Sequence, residues 1–177
     1  MLESVGQSRL TPGAAGLVPE GDGWFIVNVA EAGGIRYEAF GDRTRFEGES
    51  RFPEFGINVR VVQPGQPACL YHRESCQEAF LVLSGECIAI VEDEERPMGK
   101  GDFLYCPSGT AHVIVGAGAG PSAVLMVGAR KDPEEILYPV SEPAARYGAS
   151  VETETPSAAE AYAGTGDPQP ATIGLPW

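Results

Sequence analysis

The chain has 177 residues, 43% of them hydrophobic, and a formal net charge of -13 at pH 7. This length suits one globular domain with a substantial core and is short for two. A surface this acidic repels phosphate backbones and anionic lipids, so we expect neither nucleic acid nor membrane as a partner. The first residues lack the basic and apolar regions of a secretory signal, and no apolar run approaches about 18 residues, so we expect a cytoplasmic protein.

The Gly, Pro and Ser content of residues 1–22 predicts a flexible N-terminal arm. After this arm, the sequence predicts mainly short strands. Apolar or alternating runs predict strands at residues 24–30, 35–40, 56–63, 70–74, 78–84, 86–93, 102–106, 112–116 and 122–129. Turn signals separate nearly all of these runs, and the acidic run at residues 92–95 is typical of a solvated hairpin turn. Many short strands with such spacing indicate an all-β sandwich or barrel over residues 23–130.

The C-terminal tail, residues 131–177, has a different character. Asp132-Pro133 before EEIL is typical of a helix N-terminus, and the segments SEPAARYG and PSAAEAYAG each predict a short helix. The last residues have no periodic pattern. Leu175 and Trp177 nevertheless give them apolar groups that can dock on the barrel or on a neighbouring subunit.

The two histidines of the chain lie in two segments that combine Gly, Pro and charged residues at set spacings. The first segment contains Gly65, His72, Glu74, Glu78 and Gly85, and the second contains Gly101, Pro107, Gly109 and His112. Side chains alternate along a strand, so His72 and Glu74 point the same way, about 7 Å apart at the backbone. For Glu78 to share their site, the chain must bend at residues 75–77. Imidazole and carboxylate groups together suit a divalent transition metal such as Zn, Fe, Mn or Ni.

This pair of segments resembles the motifs of the cupin superfamily, G(X)5HXH(X)3,4E(X)6G and G(X)5PXG(X)2H(X)3N. The second motif fits through His112, with Gly116 in place of the final Asn. In the first motif Glu74 replaces the second His, and Gly65 lies one residue further from His72. The resemblance covers about residues 56–129. It implies an all-β cupin jelly-roll barrel with short helices in the tail, and a metal bound by His72, Glu74, Glu78 and His112.

Two alternatives to this ligand set remain open. A buried His paired with a Glu is often only a satisfied polar network, but two glutamates facing one interior without a cation would repel, which favours a metal. Cys76 lies between the two glutamates and is an alternative ligand to Glu74, against the simpler interpretation of a small buried thiol. None of the four cysteines has CxxC spacing, so all are expected to be free.

The resemblance implies a metal-dependent enzyme acting on a small molecule, and the superfamily includes dioxygenases, isomerases, epimerases and decarboxylases. Glu74 is then a candidate catalytic general base, since three ligands suffice for a metal. The alternative is a non-catalytic cupin module that binds a small ligand or holds a structural metal. Exposed sheet edges favour a homodimer paired through the strands at residues 24–40.

Arginines near the motifs are not expected to hold substrate. Arg60 alternates with Ile57, Val59 and Val61, and Arg73 alternates with the two ligand-type residues beside it. Arg60 is therefore expected to point outward or to be paired, and Arg73 is expected to point out of the site.

Overall fold

The computed structural model describes residues 3–177 and confirms an all-β architecture with two short helices. The strands are β1 (Arg9–Pro12), β2 (Leu17–Glu20), β3 (Gly33–Tyr37), β4 (Gly41–Arg45), β5 (Phe55–Val62), β6 (Arg73–Glu74), β7 (Glu78–Ser84), β8 (Glu86–Val91), β9 (Glu94–Gly99), β10 (Phe103–Cys106), β11 (His112–Ala117), β12 (Ser122–Ala129), β13 (Ile136–Leu137) and β14 (Gln169–Pro170). The helices are α1 (Glu142–Ala145) and α2 (Ala158–Ala161). Within residues 3–177 no helix is long and apolar enough to cross a membrane.

Two antiparallel sheets face each other and form the barrel. The larger has the order β10-β7-β12-β5-β4-β3-β14, and the smaller has the order β11-β8-β9. Strands distant in sequence are neighbours in both, as in a jelly roll. The central core lies between the sheets, where Val62, Phe80 and Val82 pack with Ala89 and Ile114.

The outer faces of both sheets are also covered. Val59 and Val61 of β5 pack outward with Ile173 from the end of the chain. Val113 of β11 packs with Ala144 of α1. The tail therefore forms a second apolar layer on the barrel, and Ile173 and Leu175 dock there, whereas Trp177 stays exposed.

The strand predicted at residues 24–30 is wrong. Trp24 makes a single bridge to Gln7, and Ile26 is 81% exposed. The side-chain oxygen of Asn28 accepts a hydrogen bond from the N–H of Ala30, and the backbone carbonyl of Asn28 accepts one from the N–H of Glu31. This local turn, which Asn stabilises through its own side chain, replaces strand pairing. The preceding segment, where an arm was expected, contains the β1–β2 hairpin.

The strand predicted at residues 35–40 is shorter than expected, and its central residues are paired on both sides. It ends at Tyr37, and β4, which was not predicted, pairs with it through a tight turn. On the other side β14 pairs with Ile35 and Arg36. The edge that was expected to pair across a homodimer is therefore covered at these residues by the chain's own tail.

The helix predicted at EEIL is also wrong, because tertiary pairing overrides the local signature. Ile136 and Leu137 form β13 and pair with Glu74 and Arg73 of β6. The N–H of Ser75 donates to the carbonyl of Glu135, and the N–H of Glu135 donates to Ser75 Oγ. The tail is thus fastened to the first histidine segment. Both other predicted helices form, each with a serine N-cap.

An ion pair fastens the connection between β4 and β5 to the end of β12. Both terminal nitrogens of Arg130 donate to the carboxylate of Glu47, at 2.6 and 3.1 Å. The same carboxylate accepts the N–H of Phe52 at 2.9 Å. Arg130 thereby holds the pKa of Glu47 below its ordinary value.

We expect Glu47→Gln to destabilise the fold by about 1–3 kcal/mol at pH 7, because a partly buried charge-assisted hydrogen-bond network is lost. A carboxyl whose pKa is lowered by folding stabilises above its unfolded pKa, and this contribution disappears as pH falls through the folded pKa. Urea unfolding from pH 7 to pH 3 should therefore show the two proteins converging in acid. Glu20→Gln, which removes the exposed pair with Arg9, is the control and should change little. A constant difference at all pH values would contradict this account.

Candidate metal centre

The two histidines face each other across a short backbone bridge. The N–H of His72 donates to the carbonyl of His112 at 3.2 Å, and the N–H of His112 donates to the carbonyl of His72 at 2.8 Å. Directly opposed residues of an antiparallel pair carry their side chains on the same face. The ring centroids are accordingly 4.9 Å apart. The bridge, and not the side chains alone, sets the position of both rings.

Backbone carbonyls orient both imidazole rings. His72 Nδ1 lies 2.7 Å from the carbonyl oxygen of Leu70, and His112 Nδ1 lies 3.0 Å from that of Thr110. A carbonyl can only accept, so each Nδ1 is the donor and carries a hydrogen. In the neutral ring Nε2 is then an acceptor, which is the arrangement of metal-binding histidines.

Glu78 lies on the opposite sheet and adds a third acceptor to the two histidine nitrogens. Its Oε2 lies 2.9 Å from His112 Nε2 and 3.8 Å from His72 Nε2. One ligand atom from each of the three residues lies within 4.8 Å of the other two. Glu78 Oε2 and His112 Nε2 are buried, and neither has a hydrogen-bond partner. Buried acceptors that converge in this way require a cation, either a proton or a metal.

The donor set and its spacing fit a metal ion. With ligand bonds of about 2.0–2.2 Å, tetrahedral geometry separates neighbouring ligand atoms by roughly 3.3–3.6 Å. The observed separations of 2.9 and 3.8 Å lie on either side of that range. His72, Glu78 and His112 can therefore hold a divalent transition metal with small side-chain adjustments.

Glu74 lies beside this cluster, and Cys76 lies outside it. Glu74 Oε1 is 3.4 Å from His72 Nε2, but the mutually close group contains only the two histidines and Glu78. The chain bends after Glu74, as expected, and β7 then begins at Glu78. Cys76 is buried and belongs to neither the cluster nor the lining of the adjacent cavity. That Glu74 is a fourth ligand stays a prediction.

Without a metal, the cluster favours protonated histidine. Burial lowers the pKa of His112, but its contacts with Cys106 and Glu78 outweigh that effect and raise the pKa to about 10. Burial likewise lowers the pKa of His72, but contacts with Cys69 and Glu74 raise it well above its ordinary value. A metal at this site must therefore displace protons from Nε2.

The cluster forms part of the wall of a cavity of about 330 Å³. Both sheets and the tail contribute to the lining, through residues that include Asn58, Phe80, Met126, Glu134, Ile136, Tyr138 and Tyr162. The tail residues were not expected here, because no motif links them to the histidines. A larger concavity of about 550 Å³ beside β9 and β10 contains neither histidine.

The outward orientation expected for Arg60 is wrong. Arg60 is only 8% exposed and lines the cavity. The alternation along β5 was identified correctly, but the strand is buried on both faces, so its odd-numbered valines pack outward under the tail. Arg73 is exposed, as expected.

We expect both imidazoles of the zinc-loaded protein to carry their ring hydrogen on Nδ1, because each Nδ1 faces a carbonyl. Long-range ¹H–¹⁵N NMR spectra check this without ambiguity, since a tag-free chain contains only two histidines. The variant His72→Gln should lack the ring signals of His72, which assigns the remaining signals to His112. A ring with its hydrogen on Nε2 would contradict the proposed orientation.

Residues 58–128 match the family model described as a cupin domain. No curated protein matches the chain. A sugar phosphate isomerase from a cupin superfamily of Silicibacter pomeroyi is 26% identical, with 54% of this chain and 62% of that chain covered and a TM-score of 0.49. The chain therefore spans less than two thirds of that structure.

Two further solved structures share the fold. The polyketide cyclase RemF from Streptomyces resistomycificus is 15% identical, with 63% of this chain and 83% of that chain covered and a TM-score of 0.53. A predicted oxalate decarboxylase from Thermotoga maritima is 20% identical, with 60% of this chain and 100% of that chain covered, also with a TM-score of 0.53. Both support the architecture described above.

Proposed function

We propose that the chain is a member of the cupin superfamily that binds a divalent transition metal at His72, Glu78 and His112 and acts there on a small molecule. The observation that carries this proposal is the convergence of three acceptor atoms on the wall of a cavity, two of which are buried without a hydrogen-bond partner. A site that adjoins a cavity leaves coordination positions for a ligand, as catalytic metal sites do.

The ligand set admits Zn, Fe, Mn or Ni. Such an ion supplies a Lewis acid that polarises a carbonyl or hydroxyl oxygen, or, if it is iron, a centre for dioxygen chemistry. Isomerase, decarboxylase and dioxygenase reactions are all compatible with these residues. The element found in the protein narrows the choice.

Glu74 is suited to accept a proton from a bound molecule. Burial raises its pKa, but the hydrogen bond to His72 outweighs this and leaves the pKa below its ordinary value. Burial and the charge of Glu74 raise the pKa of Glu134, which lines the same cavity. In the metal-free site Glu74 therefore ionises before Glu134, and the positive charge of a bound metal would favour the same order, so Glu74 is the candidate general base.

Apolar and aromatic side chains enclose the space beside these charged groups. Phe80 packs against His112 with centroids 5.1 Å apart, and Tyr138 packs against His72 at 6.0 Å. Such contacts fix the rings and exclude water from one side of a bound molecule. They orient the molecule toward Glu74 and the histidines.

A non-catalytic role is the second candidate, and the position of Glu74 favours it. At 3.4 Å from His72 Nε2, the Glu74 carboxylate is close enough to become a fourth ligand after a small rotation. Four protein ligands would close the site and make the metal structural. The number of waters bound to the ion distinguishes the two roles.

We place the protein in the cytoplasm as a homodimer within this proposal. All four cysteines are free, which suits a reducing compartment. β10 lies at the border of the large sheet and exposes Phe103 and Tyr105. An edge strand with exposed aromatic side chains is a surface that dimerisation can cover. A monomeric mass by light scattering would contradict the dimer.

Elemental analysis of protein purified without a metal-affinity tag tests the metal site. We expect near-stoichiometric metal in the parent protein and its loss in Glu78→Gln and His112→Gln, because each variant removes one of three ligands. Glu135→Gln, an exposed neighbour of the site, is the matched control and should retain the metal. Absence of metal from the parent, even after reconstitution, would overturn the proposal.

Glu74→Gln separates the two roles of that residue. If Glu74 is a general base, the variant keeps its metal with an unchanged number of bound waters, and proton exchange or turnover of a bound substrate falls by about 10²–10⁴-fold. If Glu74 is a ligand, metal affinity falls and a new water enters the coordination sphere. Water counting by relaxation of the manganese-loaded protein provides the measurement.

A further inference from the structure

Two arginines lie side by side on the wall of the cavity. Arg43 of β4 and Arg60 of β5 are register partners in the antiparallel sheet, and both line the cavity that contains the histidine cluster. Directly opposed residues point to the same face, and like charges in that arrangement destabilise a sheet. The pairing therefore requires a compensating negative group.

Arg60 has little to satisfy it within the protein. It is 8% exposed, its Nε is buried without a hydrogen-bond partner, and its Nη1 reaches only the carbonyl of Phe40, at 3.4 Å. Among residues 3–177 no carboxylate forms an ion pair with Arg60 or Arg43. A buried guanidinium without a partner is costly, because desolvation is not offset by hydrogen bonds.

The nearby carboxylates are already engaged. Asp42, adjacent to Arg43, binds Arg36 through both oxygens at 3.0 and 2.8 Å. Glu74 and Glu78 contact the histidines. Glu134, the remaining carboxylate of the cavity lining, forms no ion pair with either arginine among residues 3–177. We therefore expect the negative partner of the arginines to come from outside the chain.

We propose that Arg60 and Arg43 bind an oxyanion group, carboxylate or phosphate, of the small molecule that occupies the cavity. A planar guanidinium donates two parallel hydrogen bonds to either group, which suits both chemistries. That this anion is the molecule on which the metal acts rests on the proposed function, because the other end of the molecule would have to reach the histidine cluster. The substrate class is thus a small organic anion.

Tyr162 from the tail supports the same subsite. Its hydroxyl oxygen accepts the N–H of Leu70 at 3.2 Å, so its own hydrogen remains available for donation. Burial is the main cause that raises the pKa of Tyr162, so the hydroxyl keeps this hydrogen at all physiological pH values. A neutral donor that lines the same cavity as the two guanidinium groups can add a further contact for an oxyanion.

The test measures binding of inorganic phosphate and of succinate by titration calorimetry and thermal shift, on metal-free and zinc-loaded protein. Variants are Arg60→Met, Arg60→Lys and Arg43→Met. The matched control is Arg96→Met, an exposed arginine on the smaller sheet. Metal content is determined on every sample, so loss of the metal site is recorded separately from loss of anion binding.

We expect at least one of the two anions to bind the parent protein, and the preferred anion identifies the oxyanion. Arg60→Met and Arg43→Met should weaken that binding at least tenfold, Arg60→Lys should retain part of it, and Arg96→Met should match the parent. Because Arg60 lacks a partner, Arg60→Met should also keep or raise Tm in the absence of anion, whereas a purely structural arginine would lower it.

Three results would overturn the inference. They are failure of both anions to bind the parent, anion binding that is equal in the parent and in both methionine variants, and anion binding that depends on zinc but not on either arginine. If Arg60→Met does not fold, Arg43→Met and Arg60→Lys decide by the same criteria. Arginine-dependent anion binding in a protein that takes up no metal, even after reconstitution, would contradict the proposed function and leave the oxyanion subsite intact.

Discussion

The convergence of His72 Nε2, His112 Nε2 and Glu78 Oε2 is the constraint on which the rest of the site depends. All three are acceptor atoms when the histidines are neutral, and they are held close together in a buried environment. His112 belongs to the smaller sheet, and His72 is joined to His112 by a backbone bridge, whereas Glu78 belongs to the larger sheet. A cation shared by these atoms would therefore link the two layers of the barrel, and its binding would contribute directly to the folding free energy.

Several backbone contacts keep this arrangement in place. The N–H of Gly109 donates to the carbonyl of Glu74 at 2.7 Å, and the positive φ of Gly109 provides the turn before His112. On the other side, β13 pairs with β6 and fixes Glu74. The site is thus supported both by the second histidine segment and by the tail, which explains why the tail is fastened at that point of the barrel.

The sequence predicted the parts of this structure that depend on local periodicity and motif spacing. Most strands from residue 56 to residue 129, the hairpin turn at Glu92 and Asp93, and the approach of His72 to Glu78 and His112 follow from such patterns. Strand β9 was not predicted, and of the strand predicted at residues 70–74 only Arg73 and Glu74 form one. Tertiary pairing determined the rest. EEIL has helical capping residues, yet it forms a strand because β6 offers free backbone groups. Arg60 was misplaced because alternation identifies two faces of a strand but does not show that a tail covers the second one.

The distribution of charge separates the surface of the protein from its cavity. A net charge of -13 repels small anions at long range, but ionic strength screens such repulsion beyond about 8–10 Å. Inside the cavity, Arg43 and Arg60 have no carboxylate partner, and a divalent cation would neutralise Glu78. Selection of an anion therefore depends on short-range contacts after entry, and not on electrostatic steering from solution.

All residues of the proposed metal site come from the segment that matches the cupin domain, whereas most of the residues proposed to contact the rest of the bound molecule come from outside it. The two histidines and Glu78 lie within residues 58–128, the segment that matches the cupin domain. Arg43 precedes that segment, and Tyr138 and Tyr162 follow it, where they pack edge to face against each other. A relative that shares only residues 58–128 can therefore share the metal chemistry while differing in the molecule that it accepts. In this chain the choice of molecule would depend on Arg60 within the matched segment and on Arg43, Tyr138 and Tyr162 in the flanking segments.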